Sequence, residues 1–130
     1  MTKVTPISVK RIEFAKQPGD YLSTGRVQLD SPGPTFRVVL RWLPTAETWI
    51  LDLYTADGTP IVKGAWVRDR TDCLLGISTP GRPLGAIMSY DPKGRGDPVL
   101  DSFYTGGVGL YYVPAGMNSA DFSAYTTQVV

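Results

Sequence analysis

An all-β fold, a small antiparallel sandwich or barrel built on a three-stranded meander with extended N- and C-terminal segments, is what this 130-residue chain predicts. Three observations carry that expectation. Residues 35–43 alternate Phe36, Val38, Leu40 and Trp42 on one face with Arg37, Val39 and Arg41 on the other, the period-two pattern of a strand. A second such run, residues 49–56, is followed by Asp57-Gly58, a pair that supplies positive φ for a hairpin turn. The 14 glycines and 11 prolines are spread along the chain, as frequent turns between short strands require, and 42% hydrophobic content argues against disorder.

In chain order, residues 7–14 read as a first strand and 15–20 as a loop. Residues 21–29 read as a second strand polar enough to lie at an edge, and Asp30-Ser31-Pro32-Gly33-Pro34 is a firm break. The meander fills residues 35–68. Its first hairpin keeps apolar residues together when Trp42 pairs with Trp49, Leu40 with Leu51 and Val38 with Leu53; a one-residue slip would set Leu40 against Asp52. A two-residue type I′ turn at Asp57-Gly58 pairs Ala56 with Thr59, then Leu53 with Val62, Leu51 with Gly64 and Trp49 with Trp66. All three tryptophans then fall in one row, Trp42–Trp49–Trp66, on the core face.

Beyond the meander, Asp72 or Thr71 is placed to cap a helical turn around Cys73-Leu74-Leu75. Residues 84–90 read as a short buried strand, and 91–98 (DPKGRGDP) as the most turn-like stretch. Residues 105–113 form the closing strand, with Val108, Leu110 and Tyr112 on one face and Tyr111 and Val113 on the other, and Pro114 ends it. The expected organisation is one β domain over 1–113, with N-terminal strands (1–34), the meander (35–68) and C-terminal strands (69–113), then a tail over 114–130. That tail carries Met117, Phe122 and Tyr125 among small polar residues.

Composition removes most chemistry. With no histidine, the chain lacks the usual general base, the serine and cysteine triads and most transition-metal sites; one cysteine, Cys73, makes neither a disulfide framework nor a cysteine zinc site. Net charge of +1 gives no electrostatic case for nucleic acid. No apolar run approaches the roughly 20 residues of a membrane span, and the start lacks the apolar segment of a secretory signal. The acid pairs Asp69/Asp72 and Asp97/Asp101 sit among Arg, Gly and Pro, where turn formation accounts for them. Asp91 and Asp97 lack the alternating oxygen ligands of a calcium loop, and Gly94-Arg95-Gly96 is no phosphate loop. Neither catalytic residues, nor a cofactor, nor a metal is expected.

The reverse face of the meander is the informative one. Asp52 lies beside Lys63 and diagonal to Arg37 and Arg41, a cluster read as ion pairs neutralising the sheet at about 0.2–1 kcal/mol each. Val39, Ile50, Tyr54, Ile61 and Ala65 share that face, making it too apolar for full exposure, so either the rest of the domain or another subunit should cover it. A single-stranded nucleic-acid-binding small β-barrel is the alternative function, with Phe103, Tyr104, Tyr111 and Tyr112 as its candidate stacking platform.

The run from Phe36 to Val67 (FRVVLRW, a short loop, then WILDLYTADGTPIVKGAWV) resembles the small baseplate plug proteins of contractile-tailed bacteriophages. The resemblance rests on Leu40–Trp42, Trp49 followed by Leu51-Asp52-Leu53-Tyr54, Asp57–Pro60, Ile61-Val62, and more weakly on Leu74-Leu75 and Leu110-Tyr111-Tyr112-Val113. It implies a non-enzymatic structural component of a phage tail baseplate, made in the host cytoplasm and located in the virion. Such a component plugs or braces the centre of the tail tip beside hub, spike and tail tube, in several copies, with no membrane and no nucleic acid as partner. The expected interface is Val39, Ile50, Tyr54 and Ile61 on the second face, with Phe122 and Tyr125 from the tail.

Overall fold

The computed structural model describes residues 10–12, 21–30, 33–104 and 107–114. Seven strands are formed: β1 (Lys10–Ile12), β2 (Leu22–Gln28), β3 (Thr35–Leu43), β4 (Thr48–Thr55), β5 (Pro60–Trp66), β6 (Ala86–Tyr90) and β7 (Gly109–Val113). They make two antiparallel sheets, one ordered β2-β3-β4-β5 and the other β1-β7-β6. The flanks expected for the first strand, residues 7–9 and 13–14, and the tail after Pro114 lie outside the described residues, as does Thr105 at the start of the expected closing strand.

One core cluster joins the sheets. Phe36, Val38, Leu40, Trp49, Leu51, Leu53 and Val62 of the larger sheet meet Ile12, Ile87, Leu110 and Tyr112 of the smaller one. Period-two alternation explains both halves: residues i, i+2 and i+4 of a strand share a face, and here that face looks across a sandwich. Tyr111 and Val113 point the other way and form a second cluster with Met88 and Tyr90, as the alternation of β7 predicts. Tyr112 crosses the sandwich and donates its hydroxyl to Asp30 Oδ1 at 2.8 Å, while accepting the Gly85 N–H at 2.8 Å. Burial, and then the hydrogen bond to Asp30, raise its phenol above the ordinary tyrosine value.

The first hairpin has the predicted register, with Trp42 opposite Trp49, Leu40 opposite Leu51 and Val38 opposite Leu53. The second does not. Leu53 does oppose Val62, but Tyr54 opposes Pro60, Leu51 opposes Ala65 and Ile50 opposes Trp66. The turn is also one residue longer than predicted: Gly58 N–H donates to Thr55 O and Thr55 N–H to Thr59 O, enclosing Ala56, Asp57 and Gly58. Only Gly58, at φ 93°, takes positive φ, whereas a type I′ turn would require it of Asp57 as well. Two irregularities then advance β5 by one residue each, at Ile61 and at Lys63-Gly64.

The second advance turns Trp66 out of the tryptophan row, so the predicted triple is corrected to a pair. Trp42 and Trp49 meet edge to face at 5.4 Å, Trp49 continues to Phe103 at 5.8 Å, and its indole N–H donates to Val99 O at 2.9 Å. Trp66 is 49% exposed on the opposite face. Ile61, expected on that face, is instead the extra residue of the first irregularity and joins the core cluster. Around Cys73-Leu74-Leu75 the chain makes hydrogen-bonded turns where a helical turn was expected, and of the two expected caps Asp72 accepts the Leu74 N–H through Oδ1 at 2.8 Å.

Candidate interaction surface

On the outer face of the larger sheet, the strand register sets four residues at the corners of a square. Val39 lies opposite Asp52, and Arg41 opposite Ile50. Arg41 spans one diagonal, donating to both carboxylate oxygens of Asp52 at 2.8 and 3.1 Å. Its aliphatic stem therefore passes between Val39 and Ile50, which hold the other diagonal, and both are buried. The ion pair accordingly serves as part of the cover that these two apolar residues need.

Asp52 is the hub of this face. Its carboxylate is nearly sealed from solvent, yet it also accepts the Gly64 N–H at 2.8 Å. Burial pushes the Asp52 carboxyl up, but the Arg41 hydrogen bonds, the Gly64 N–H and the charges of Arg41 and Lys63 together hold it below the ordinary carboxylate value. The predicted reading of this cluster as a self-neutralised sheet face is what the geometry displays. Arg37 does not reach Asp52; it lies 4.6 Å over the half-buried Tyr54 ring.

The apolar surface that stays open on this side forms a rim. Leu22, opposite Arg41 on β2, is 58% exposed. Trp66, opposite Ile50 on β5, lies beneath the Arg68 guanidinium at 4.9 Å. Of the residues expected at an interface, Val39 and Ile50 are brought together beneath the ion pair and Tyr54 stands beside them. Ile61 packs into the core, and Phe122 and Tyr125 lie outside the described residues. Trp66 and Leu22 were not anticipated; Gly64 inside a strand is the sequence signal that could have exposed Trp66.

The acidic residues elsewhere hold loops. Asp72 Oδ1 also accepts the Ile87 N–H at 3.1 Å, and Asp97 Oδ1 accepts the Asp69 N–H at 2.8 Å. Asp91, buried, accepts backbone N–H groups of Lys93 and Arg95 and is gripped by the Arg95 guanidinium at 2.7 and 3.1 Å. Those Arg95 bonds, against the push of burial, hold its carboxyl at about 2. Among the described residues no group of three or more acids and cysteines is arranged to hold a metal ion. Cys73 is buried, and that burial, helped by the nearby Asp72 charge, pushes its thiol up to about 12, where it is no nucleophile. The aromatic platform of the alternative function is also not laid out on the surface. Tyr111 and Tyr112 are buried and Phe103 packs on Trp49, leaving Tyr104 exposed.

Arg82, unremarkable in the sequence, is the other organiser. It donates to the carbonyls of Pro83 (2.8 Å), Leu74 (2.9 Å), Ile77 (2.8 Å) and Gly85 (2.9 Å), tying two loops together with one guanidinium.

Comparison with known proteins agrees with a fold whose residues carry shape rather than chemistry. No curated protein matches the chain. The family described as "Cyanophage baseplate Pam3 plug gp18" matches it over residues 12–115, which takes in every described strand from the end of β1 to β7. The chain thus belongs to this family of phage baseplate plugs, and is a structural protein of the baseplate.

Proposed function

We propose that this chain closes the centre of a contractile phage tail tip, seated beside hub and spike in several symmetry-related copies. Its mechanism is occlusion: rigid β domains meet around an axis and keep the tube shut until contraction displaces them. A closed ring satisfies repeated copies of one surface without leaving an end open to further growth. The observation that carries the reading is the outer face of the larger sheet, where Val39 and Ile50 are sealed but Tyr54, Trp66 and Leu22 form an unfinished apolar rim. An aromatic residue next to arginine, as in Trp66 with Arg68 and Tyr54 with Arg37, is the composition enriched at protein interfaces. The tail bearing Phe122 and Tyr125 is taken to continue that surface.

The test is complementation. Phage lacking its plug is supplied with the wild-type chain or with Tyr54→Lys or Trp66→Lys variants. Both variants should remain folded, since these side chains are not part of the core, yet tails should be recovered with less than about a tenth of the normal plug content, a loss of the size expected for an interface anchor. Normal incorporation of both, or a reconstruction with this face turned to solvent, would remove the proposal.

A further inference from the structure

The register that assembles the apolar rim also gathers charge on the outer face of the larger sheet. Arg26 of β2 stands directly opposite Arg37 of β3, which in turn stands opposite Tyr54 of β4. Alternation puts Arg41 on the same side as Arg37, and Lys63 lies in the irregularity opposite Asp52. Four cations thus share this face with one described carboxylate, Asp52. That carboxylate is already committed, since both of its oxygens accept from Arg41 and Oδ1 also accepts the Gly64 N–H.

Arg26 and Arg37 are therefore a like-charge pair set directly across two strands, an arrangement that repels and weakens the sheet. Both are exposed, and among the described residues neither forms an ion pair with a carboxylate. An anion held by both guanidinium forks would relieve them. The aromatic groups of this face decide which macromolecule brings that anion. A nucleic-acid strand adds base stacking to its phosphate contacts, but Arg37 and Arg68 already lie on the Tyr54 and Trp66 rings at 4.6 and 4.9 Å. A protein surface needs no free ring, and arginine beside an aromatic residue is what protein interfaces favour. A second copy meeting this face across a two-fold axis would set the same cations against one another. Acids elsewhere among the described residues are also engaged: Asp91 by Arg95, Asp72 by two backbone N–H groups, and Asp69 and Asp97 by Arg70 and Arg68.

We propose that Arg26 and Arg37 receive a carboxylate from a different baseplate protein, whose acidic surface seats on this face and lays its apolar residues against Leu22, Tyr54 and Trp66. The inference rests on the reading of the outer face as the seat of the plug, and it names the chemistry of what lies against that seat. It also gives the repulsive pair a purpose. The free chain carries the repulsion, and the partner's carboxylate removes it, so part of the drive to assemble comes from that relief. Stability of the free chain and competence to assemble should then move in opposite directions when one arginine is exchanged for an acid.

Arg26→Glu in the full-length chain is the test, because it turns the repulsive pair into an attractive one without touching the core. At low ionic strength the isolated variant should melt about 1–4 °C above the wild type. Plug-deficient phage supplied with it should yield tails holding less than about a tenth of the normal plug content. Selection for restored plaque yield should return acid-to-base substitutions in another baseplate protein. A lower melting temperature would mean that the pair is already neutralised within the chain, and overturns the proposal. Normal incorporation of Arg26→Glu overturns it too; if Trp66→Lys still fails to incorporate, the face remains the seat of the plug, and if both incorporate, that reading falls as well. Suppressors confined to this chain would assign the contact to a neighbouring copy. Salt-sensitive retention on single-stranded DNA that Arg26→Glu abolishes would assign it to nucleic acid. Either result overturns the proposal.

Discussion

Gly64 hands its N–H to the carboxylate of Asp52 at 2.8 Å, and it does so from φ 77°, a backbone conformation that places its own strand one residue out of step with its neighbour. Two residues of β5, Lys63 and Gly64, oppose Asp52 alone, the count of a β-bulge. A carboxylate that would otherwise be buried with only Arg41 thereby gains a second, backbone donor. Asp52→Asn should leave Arg41 facing an amide and weaken both contacts, costing about 2–3 kcal/mol; because half-exposed Arg41 can turn to water, the loss stays below that of a fully enclosed pair. Gly64→Ala should cost about 1 kcal/mol, for the left-handed backbone alone, since the space around its Cβ is open. In the double variant the combined loss should fall short of the sum of the two, because once Asp52 no longer holds the residue-64 N–H the left-handed backbone can relax and its strain is relieved. Urea unfolding of the four proteins measures it.

Acid should unfold this protein through two aspartates. The folded-state values of Asp52 and Asp91 both lie below the ordinary carboxylate value, Asp91 at about 2. A group depressed in this way contributes stability that is fully present above its unfolded pKa, about 3.9, and disappears as pH falls toward the folded value. Melting temperature should therefore be flat from pH 7 to about 5 and fall steeply between about 4 and 2. Asp91→Asn should lower the plateau and shallow that fall. An unchanged acid limb in this variant would place the titrating groups elsewhere.

The tertiary register of the first hairpin was legible because alternation and charge agreed: only one pairing of residues 35–43 with 48–55 keeps Leu40 on Leu51 and frees Asp52 for Arg41. The second hairpin was not, for a local reason. Asp57-Gly58 announces a turn equally well whether two or three residues are enclosed, and the longer turn starts β5 one residue behind. The bulge at Ile61 restores Leu53 to Val62, so apolar matching at that point looks correct under either reading. The bulge at Gly64 then moves Trp66 to the other face. Period two makes a single inserted residue reverse every side chain after it. The candidate surface suffered likewise: Val39 and Ile50 were correctly assigned to one face, but their cover by the Arg41 stem follows from a diagonal that residue spacing alone does not reveal, and Ile61 was lost to the core.

Arg82 should prove irreplaceable by lysine. Its guanidinium spreads its N–H donors over four carbonyls in two loops, at 2.8 to 2.9 Å. An ammonium is a compact donor without that fork and cannot reach both sides at once. Arg82→Lys should lower stability by about 2 kcal/mol, nearly as much as Arg82→Ala. The matching readout is faster exchange at the Ile87 amide, because Asp72 of the first loop holds it. Substantial rescue by lysine would show that charge, and not the fork, ties the loops.

The three tryptophans should separate cleanly in solution. Trp49 has no exposed surface and spends its indole N–H on Val99, while Trp42 is half-buried against it. Trp66 is about half exposed, and the Arg68 guanidinium above its ring attracts a small anion to it. Iodide should therefore quench one component of the emission efficiently and leave the rest nearly untouched. Trp66→Phe should abolish the quenchable component with a stability change under about 0.5 kcal/mol, as for a surface position. The same measurement then reports on assembly: in purified tails the iodide-sensitive component should vanish if the face bearing Trp66 is buried between subunits. If emission from assembled tails stays as quenchable as that of the free chain, the rim of Trp66, Tyr54 and Leu22 faces solvent in the virion, and the contacts that seat the plug must lie on another side of the sandwich.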